Sequence, residues 1–162
     1  MFEADPAHTE AIESLDRLYQ ATGRWRELAE ILKVEIQSAA DPEQSLEFQY
    51  RLGQVLQHYL GDVDGAIRQY RDILSAAPDH RDALVALEGL LDAGVRPTAI
   101  AEILEPLYRM QEIWDRLLGV HEVQLHFLSD ATQRVGLMQR IAEIAEERMA
   151  DGSLALAWHQ RA

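Results

Sequence analysis

Two stretches of this chain carry the same residue pattern at a constant separation of 89 positions, with no gap between Leu15 and Ala66. Leu15-Asp16-Arg17-Leu18-Tyr19 returns as Leu104-Glu105-Pro106-Leu107-Tyr108. Trp25 returns as Trp114, Leu28 as Leu117, Asp41 as Asp130, Arg51 as Arg140, Asp62 as Asp151 and Ala66 as Ala155. A shared offset over such a span means one structural unit used twice. Units of this kind are too thin to bury their apolar face alone, so each stacks on the next. A second echo, Pro6 to Ile12 against Pro78 to Leu84 at an offset of 72, makes the segment after Pro78 a further copy of the first.

The periodicity is helical throughout, with no β-branched alternating run between hairpin turns. A first helix is expected from Pro6 to Ala21, with Ile12, Leu15, Leu18 and Tyr19 on one side, ended by Thr22-Gly23. A second runs from Arg24 to Ala39 on a stripe of Trp25, Leu28, Ile31, Leu32 and Ile36. Asp41-Pro42 opens a third that reaches Tyr59, since Asp is a good N-cap and Pro is tolerated at the first helical position. The fourth carries Ala66, Ile67, Tyr70, Ile73 and Leu74 after the turn at Gly61-Asp62. Further helices are expected at residues 80–93, from 97 to 110, and at 112–128, 132–150 and 153–162, nine in all. Loops this short make consecutive helices antiparallel neighbours. The 89-residue period then holds five helices, an odd number. The fifth must swap faces, stand alone or change the stacking locally. Pro106 should also kink the sixth helix, so a bend or weak joint is expected between Leu91 and Met110.

From Leu46 to Pro78 the residues Leu52-Gly53, Leu56, Ala66, Tyr70 and Pro78 resemble the tetratricopeptide (TPR) repeat signature. This copy needs one extra residue near Gly61 to keep register. Gln49 stands where a tryptophan is usual, and Leu56 where an aromatic is usual. In the first unit, Leu15, Tyr19 and Gly23 fall at the Leu, Tyr and mid-turn Gly positions. Trp25 and Leu32 take bulky second-helix positions, and Leu28 replaces the small residue. Later copies are more degenerate, with Leu104, Tyr108 and Trp114 retained and Ala142 and Ala155 at the small-residue positions. The resemblance implies an all-α, right-handed superhelical solenoid over the single domain 1–162. Its units are near 9–42, 46–78, 81–110 (irregular), 98–131 and 135–162 (truncated). The pattern is also similar to degenerate bacterial TPR arrays, so the chain is expected to be a fragment of a longer array. Small residues at Gly53, Ala66, Ala142 and Ala155 are expected to let antiparallel helices approach closely.

Composition narrows the chemistry. The formal net charge is −13, with one lysine, fourteen arginines, no asparagine and no cysteine. Disulfides and thiolate metal sites are excluded. The acidic balance speaks against phosphate-backbone binding, which needs clustered cations, and favours basic partners. The start lacks the basic-then-apolar form of a secretory signal, and no apolar run reaches the roughly 20 residues that span a bilayer. The default expectation is a cytoplasmic protein without nucleic-acid or membrane partners.

No catalytic, cofactor or metal constellation emerges. His121 and His126 are five apart, about 140° around a helix, instead of the four-residue spacing that places two zinc ligands on one face. They read as unrelated surface or rim residues. His8 and His80 recur at one turn position and read as structural caps. His58 and His159 lack obvious partners. Glu143, Glu146 and Glu147, with Arg148, read as a solvated face. Trp25, Trp114 and Trp158 read as core residues at helix starts.

The resemblance implies a non-catalytic protein–protein interaction scaffold, holding a peptide, helix or loop on a concave face lined by the first helix of each pair. The family's groove positions fall on Glu10, Glu13 and Arg17, on Tyr50, Gln54 and His58, and on Gln139, Glu143 and Glu146. That lining is acidic and amphipathic, so a basic or mixed guest is expected. The carboxylate-clamp subtype, which uses lysines and two asparagines, cannot be built here. The alternatives are a structural spacer in a longer repeat protein, with end-to-end self-association of the truncated solenoid, and, remotely, part of a helical-toroid enzyme.

Overall fold

The computed structural model describes residues 6–162, except the side chains of residues 6–10, 12 and 13. Among the described residues the chain forms nine α-helices and no strand. They are α1 (Pro6–Thr22), α2 (Trp25–Ser38), α3 (Pro42–Val55), α4 (Val63–Ala76), α5 (Arg81–Asp92), α6 (Pro97–Met110), α7 (Trp114–Phe127), α8 (Ala131–Glu147) and α9 (Gly152–His159). Among these residues no helix is long and apolar enough to cross a membrane. Contacts divide the chain into two compact units, Met1–Leu84 and Val85–Ala162. The division falls inside α5, upstream of the segment 91–110 where a weak joint was expected. α6 runs unbroken through Pro106, which sits on its exposed side.

In the first unit α1 packs on α2, α2 on α3 and α3 on α4. In the second α6 packs on α7, α7 on α8 and α8 on α9. Partnership between chain neighbours is what short helix-to-helix links dictate.

The 89-residue echo recurs bond for bond. Helices α2 and α7 begin at the equivalent tryptophans and have the same length, 14 residues. Asp62 caps α4 by accepting from Gly65 N–H at 2.8 Å, and Asp151 caps α9 by accepting from Leu154 N–H at 2.9 Å. Asp41 and Asp130 also cap α3 and α8, Asp41 accepting from Glu43 N–H at 3.1 Å and Asp130 from Gln133 N–H at 2.7 Å. The turn after α1 is closed by Arg24 N–H to the Tyr19 carbonyl, and the turn after α6 by Ile113 N–H to the Tyr108 carbonyl, both at 2.9 Å. Asp62 N–H to the Leu56 carbonyl is matched by Asp151 N–H to the Ala145 carbonyl, again both at 2.9 Å.

These turns need a left-handed residue. The first copy supplies Gly23 (φ 69°) and Gly61 (φ 68°). The second has Glu112 (φ 57°) and Ala150 (φ 55°) at the same places, where a Cβ makes the conformation unfavourable.

The cores also correspond. Ala29, Ile36, Phe48, Leu52, Val55 and Leu60 build the first, and their counterparts Leu118, Leu125, Leu137, Ile141, Ile144 and Met149 build the second. Gly53 shows why one small residue differs. A Cβ there would lie 2.5 Å from the ring of Tyr70, which is buried and tied to Gln57 through its hydroxyl. The counterpart of Tyr70 is His159, which is exposed, so Ala142 fits where Gly53 must be glycine. Ala66 and Ala155 are both buried.

The third helix departs from its expected form near its end. Residues Leu56–Leu60 form a π-helical turn continuing α3. A π turn is how a helix absorbs one inserted residue, and the position coincides with the extra residue the sequence demands near Gly61.

Candidate functional site

Among the described residues, the buried polar or charged side chains are Asp16, Glu35 and His121. All three belong to one place in the repeat, where three consecutive helices meet. In the first copy Asp16 (α1) takes both ends of the Arg51 guanidinium (α3) at 2.8 Å each, a bidentate pair. The hydrogen bonds from Arg51 to Asp16 raise the arginine pKa, aided by Glu35 of α2.

The second copy has the equivalent Glu105 (α6), Gln124 (α7) and Arg140 (α8), but Leu32 is replaced by His121. His121 Nδ1 lies 2.9 Å from Glu105 Oε1 and 3.1 Å from Gln124 Oε1. Both partners are acceptors, which places a proton on Nδ1. The bond from His121 holds the Glu105 carboxyl below its ordinary pKa, with Arg140 and Arg109 adding attraction. His121 is therefore not a surface or rim residue. It occupies the fully buried position of Leu32, and its Nε2 has no hydrogen-bond partner among the described residues. The imidazole has captured the carboxylate that the arginine holds in the first copy. Arg140 makes no hydrogen bond or ion pair with a described side chain and is exposed.

Beside this node lies a pocket of about 260 Å³ in the second unit, lined by Arg109, Trp114, Arg140, Glu143, Glu147 and Arg148 with Ile144. The matching residues of the first copy are Gln20, Trp25, Arg51, Gln54, His58 and Tyr59 with Val55. There the space is filled from within: Tyr59 stacks on Trp25 with ring centroids 3.6 Å apart and planes 14° apart. In the second copy Arg148 stands in for that tyrosine, 5.4 Å from the Trp114 ring centre.

Two wider grooves lie side by side in the second unit and share Glu122 and His126 of α7. The first, about 660 Å³, runs between α5 and α7. Leu91, Val120, Val123 and Phe127 give it an apolar floor, and Asp92 and Glu122 an acidic rim. At one end Glu88 accepts from the Tyr108 hydroxyl and from Arg116 at 2.7 Å. Burial, then the hydrogen bond to Glu88, pushes the Tyr108 phenol above its ordinary range. The Phe127 ring closes the other end over Gly94, where a Cβ would approach it to 2.4 Å. The second groove, about 410 Å³, adds Arg134, Met138, Trp158 and Arg161.

The residues expected to line a groove fall in several places. The Glu10 and Glu13 side chains lie outside the described residues. Arg17 and His58 are exposed. Tyr50 is half-buried between Tyr70 and His80, and its hydroxyl accepts from Gln54 at 3.2 Å. Burial, then the Asp82 charge, raises its pKa. Gln139, Glu143 and Glu146 are exposed on α8. Of these Glu143 borders the small pocket, and none borders the two wider grooves, the first lined by α5 and α7 and the second by α7, α9 and the Arg134–Met138 side of α8.

His80 does cap a helix, its Nδ1 accepting from Ala83 N–H at 3.3 Å. Trp25 and Trp114 start their helices, but Trp158 sits in the last turn of α9, buried with Arg161 over its ring. The polar node was missed by sequence reasoning. Its one signal is that charge recurs at Asp16/Glu105 and Arg51/Arg140 between apolar stripes. No protein-family model matches the chain, and no curated protein matches it significantly.

Proposed function

We propose that the chain is a non-catalytic, TPR-like interaction scaffold whose wider grooves in the second unit receive a segment of a partner protein. The observation that carries this reading is the α5–α7 groove, apolar below with Asp92 and Glu122 at its rim, continuous with a second groove through Glu122 and His126. The bond-for-bond recurrence of antiparallel pairs supports the repeat assignment, since stacked pairs leave such lanes open. About 660 Å³ is within the range of sites that hold several side chains. Exposed Asp92 and Glu122 beside Val123 and Phe127 suit a segment that alternates Lys or Arg with Leu or Ile.

Fluorescence anisotropy of the full chain with a labelled basic amphipathic peptide and its Glu-for-Lys analogue tests the reading. The basic peptide should bind, should weaken as salt rises, and should weaken further with Asp92→Asn plus Glu122→Gln. Equal binding of both peptides, or binding that tightens with salt, would contradict it.

A further inference from the structure

The small pocket over Trp114 is a site of a different chemical kind, and the first copy shows what fits it. In that copy the equivalent tryptophan face is covered by the chain's own Tyr59 ring, and the equivalent arginine is held by Asp16. Both conditions are removed in the second copy. The residue at the Tyr59 position is Arg148, a long exposed side chain that hovers over the ring without filling the space. The carboxylate at the Asp16 position is turned to His121, so Arg140 faces the pocket. Arg109 replaces Gln20 and adds a third guanidinium. Three arginines line this small pocket with Glu143 and Glu147, beside the Glu105 carboxylate, a concentration of guanidinium groups in a chain of net charge −13.

We propose that this pocket binds an aromatic side chain of a partner polypeptide with a carboxylate next to it. The ring lies on the Trp114 face, as Tyr59 lies on Trp25, and the carboxylate meets Arg140 and Arg109. The chemistry follows from general preferences: indole faces stack with other rings, and an exposed guanidinium can take a carboxylate in a bidentate pair, as Arg51 takes Asp16 in the first copy. At about 260 Å³ the pocket has room for one side chain and not for a cofactor. Glu143 and Glu147 on the same lining would attract a lysine-rich flank, so the competing Lys-Tyr-Lys peptide belongs in the test. The site shares no residue with the α5–α7 groove, so it stands or falls separately from the function proposed above.

The test is a titration of the full chain with three blocked tripeptides, Glu-Tyr-Glu, Lys-Tyr-Lys and Glu-Leu-Glu, followed by NMR at the indole N–H of each tryptophan. The expected result is a shift at Trp114 and not at Trp25, with Glu-Tyr-Glu binding about five-fold or more tightly than the other two. Arg148→Tyr rebuilds the first copy's stack in the second and should abolish the shift in a folded protein. Arg140→Gln should weaken binding without removing the ring contact. The proposal is overturned by no Trp114 shift with any peptide, by equal shifts from all three, by tighter binding of Lys-Tyr-Lys, or by undiminished binding in Arg148→Tyr.

Discussion

The two copies, residues 6–76 and 97–159, keep the same helices, caps and turn bonds but differ in how they resolve one buried polar node. In the first copy the node is closed: Asp16 and Arg51 satisfy each other, and Tyr59 seals the space beside them. In the second a leucine position has become His121, the carboxylate has changed partner, the arginine lines a pocket, and the tryptophan face is met by Arg148 instead of a stacked ring. The difference teaches that helix punctuation carries the architecture, while a few replacements at helix junctions turn a sealed joint into an open pocket. The second copy also keeps two left-handed turns without the glycines that make such turns cheap. It is the copy with more backbone strain at its turns.

The largest expected effect comes from filling the contact both copies share. Ala66→Leu overpacks a fully buried site and should destabilise the first unit by roughly 1–3 kcal/mol. Ala155→Leu should do the same in the second unit. Hydrogen exchange resolved by residue separates the two, and an unchanged exchange pattern in either variant would break the claim that both alanines are close-approach points.

The next effect sharpens the contrast at the node. Asp16→Ala removes both hydrogen bonds to a partly buried Arg51 and should destabilise by about 2 kcal/mol, as charged hydrogen bonds do. His121→Leu restores the first copy's residue and removes a buried, unpartnered Nε2. It should be neutral or mildly stabilising, and its structure should show Arg140 on Glu105. A loss of stability comparable to that of Asp16→Ala would mean that the imidazole is an essential member of the second node. Denaturant midpoints measure both variants.

Smaller again are the turns. Glu112→Gly and Ala150→Gly should each stabilise by about 0.5–1 kcal/mol, and Gly23→Ala and Gly61→Ala should destabilise by about 1 kcal/mol. The same sign for all four would contradict the equivalence of these turns.

The smallest effect is a pH dependence. The folded pKa of Glu105 lies below its unfolded value because His121 donates to it. Its contribution is therefore present above the ordinary glutamate range and is lost as pH falls through the depressed folded value. Denaturant midpoints followed from pH 6 to pH 3 should fall less steeply in Glu105→Gln than in the parent chain.

Much of the fold was legible because this chain punctuates its helices. Asp41 with Pro42, Gly61 with Asp62, and Pro78 mark ends that the structure reproduces to within a few residues. The π turn at Leu56–Leu60 was visible only as a register mismatch, because a single inserted residue leaves the local apolar spacing nearly intact. The burial of His121 was hidden because histidine is polar and its separation from His126 suggested the surface. Only alignment with Leu32 reveals its place. The wider grooves involve α8 through Arg134 and Met138, whereas the expected lining of that helix was Gln139, Glu143 and Glu146. Which face a helix presents depends on its neighbours in space, and local periodicity does not record that.

A crystal structure of the full chain tests the central claim most directly. The account predicts that residues 6–76 and 97–159 follow the same path. Arg51 should be bidentate on Asp16, His121 buried on Glu105, and Arg140 turned towards Trp114. A structure in which Arg140 holds Glu105 and His121 lies in solvent, or in which the two segments take different paths, would contradict it.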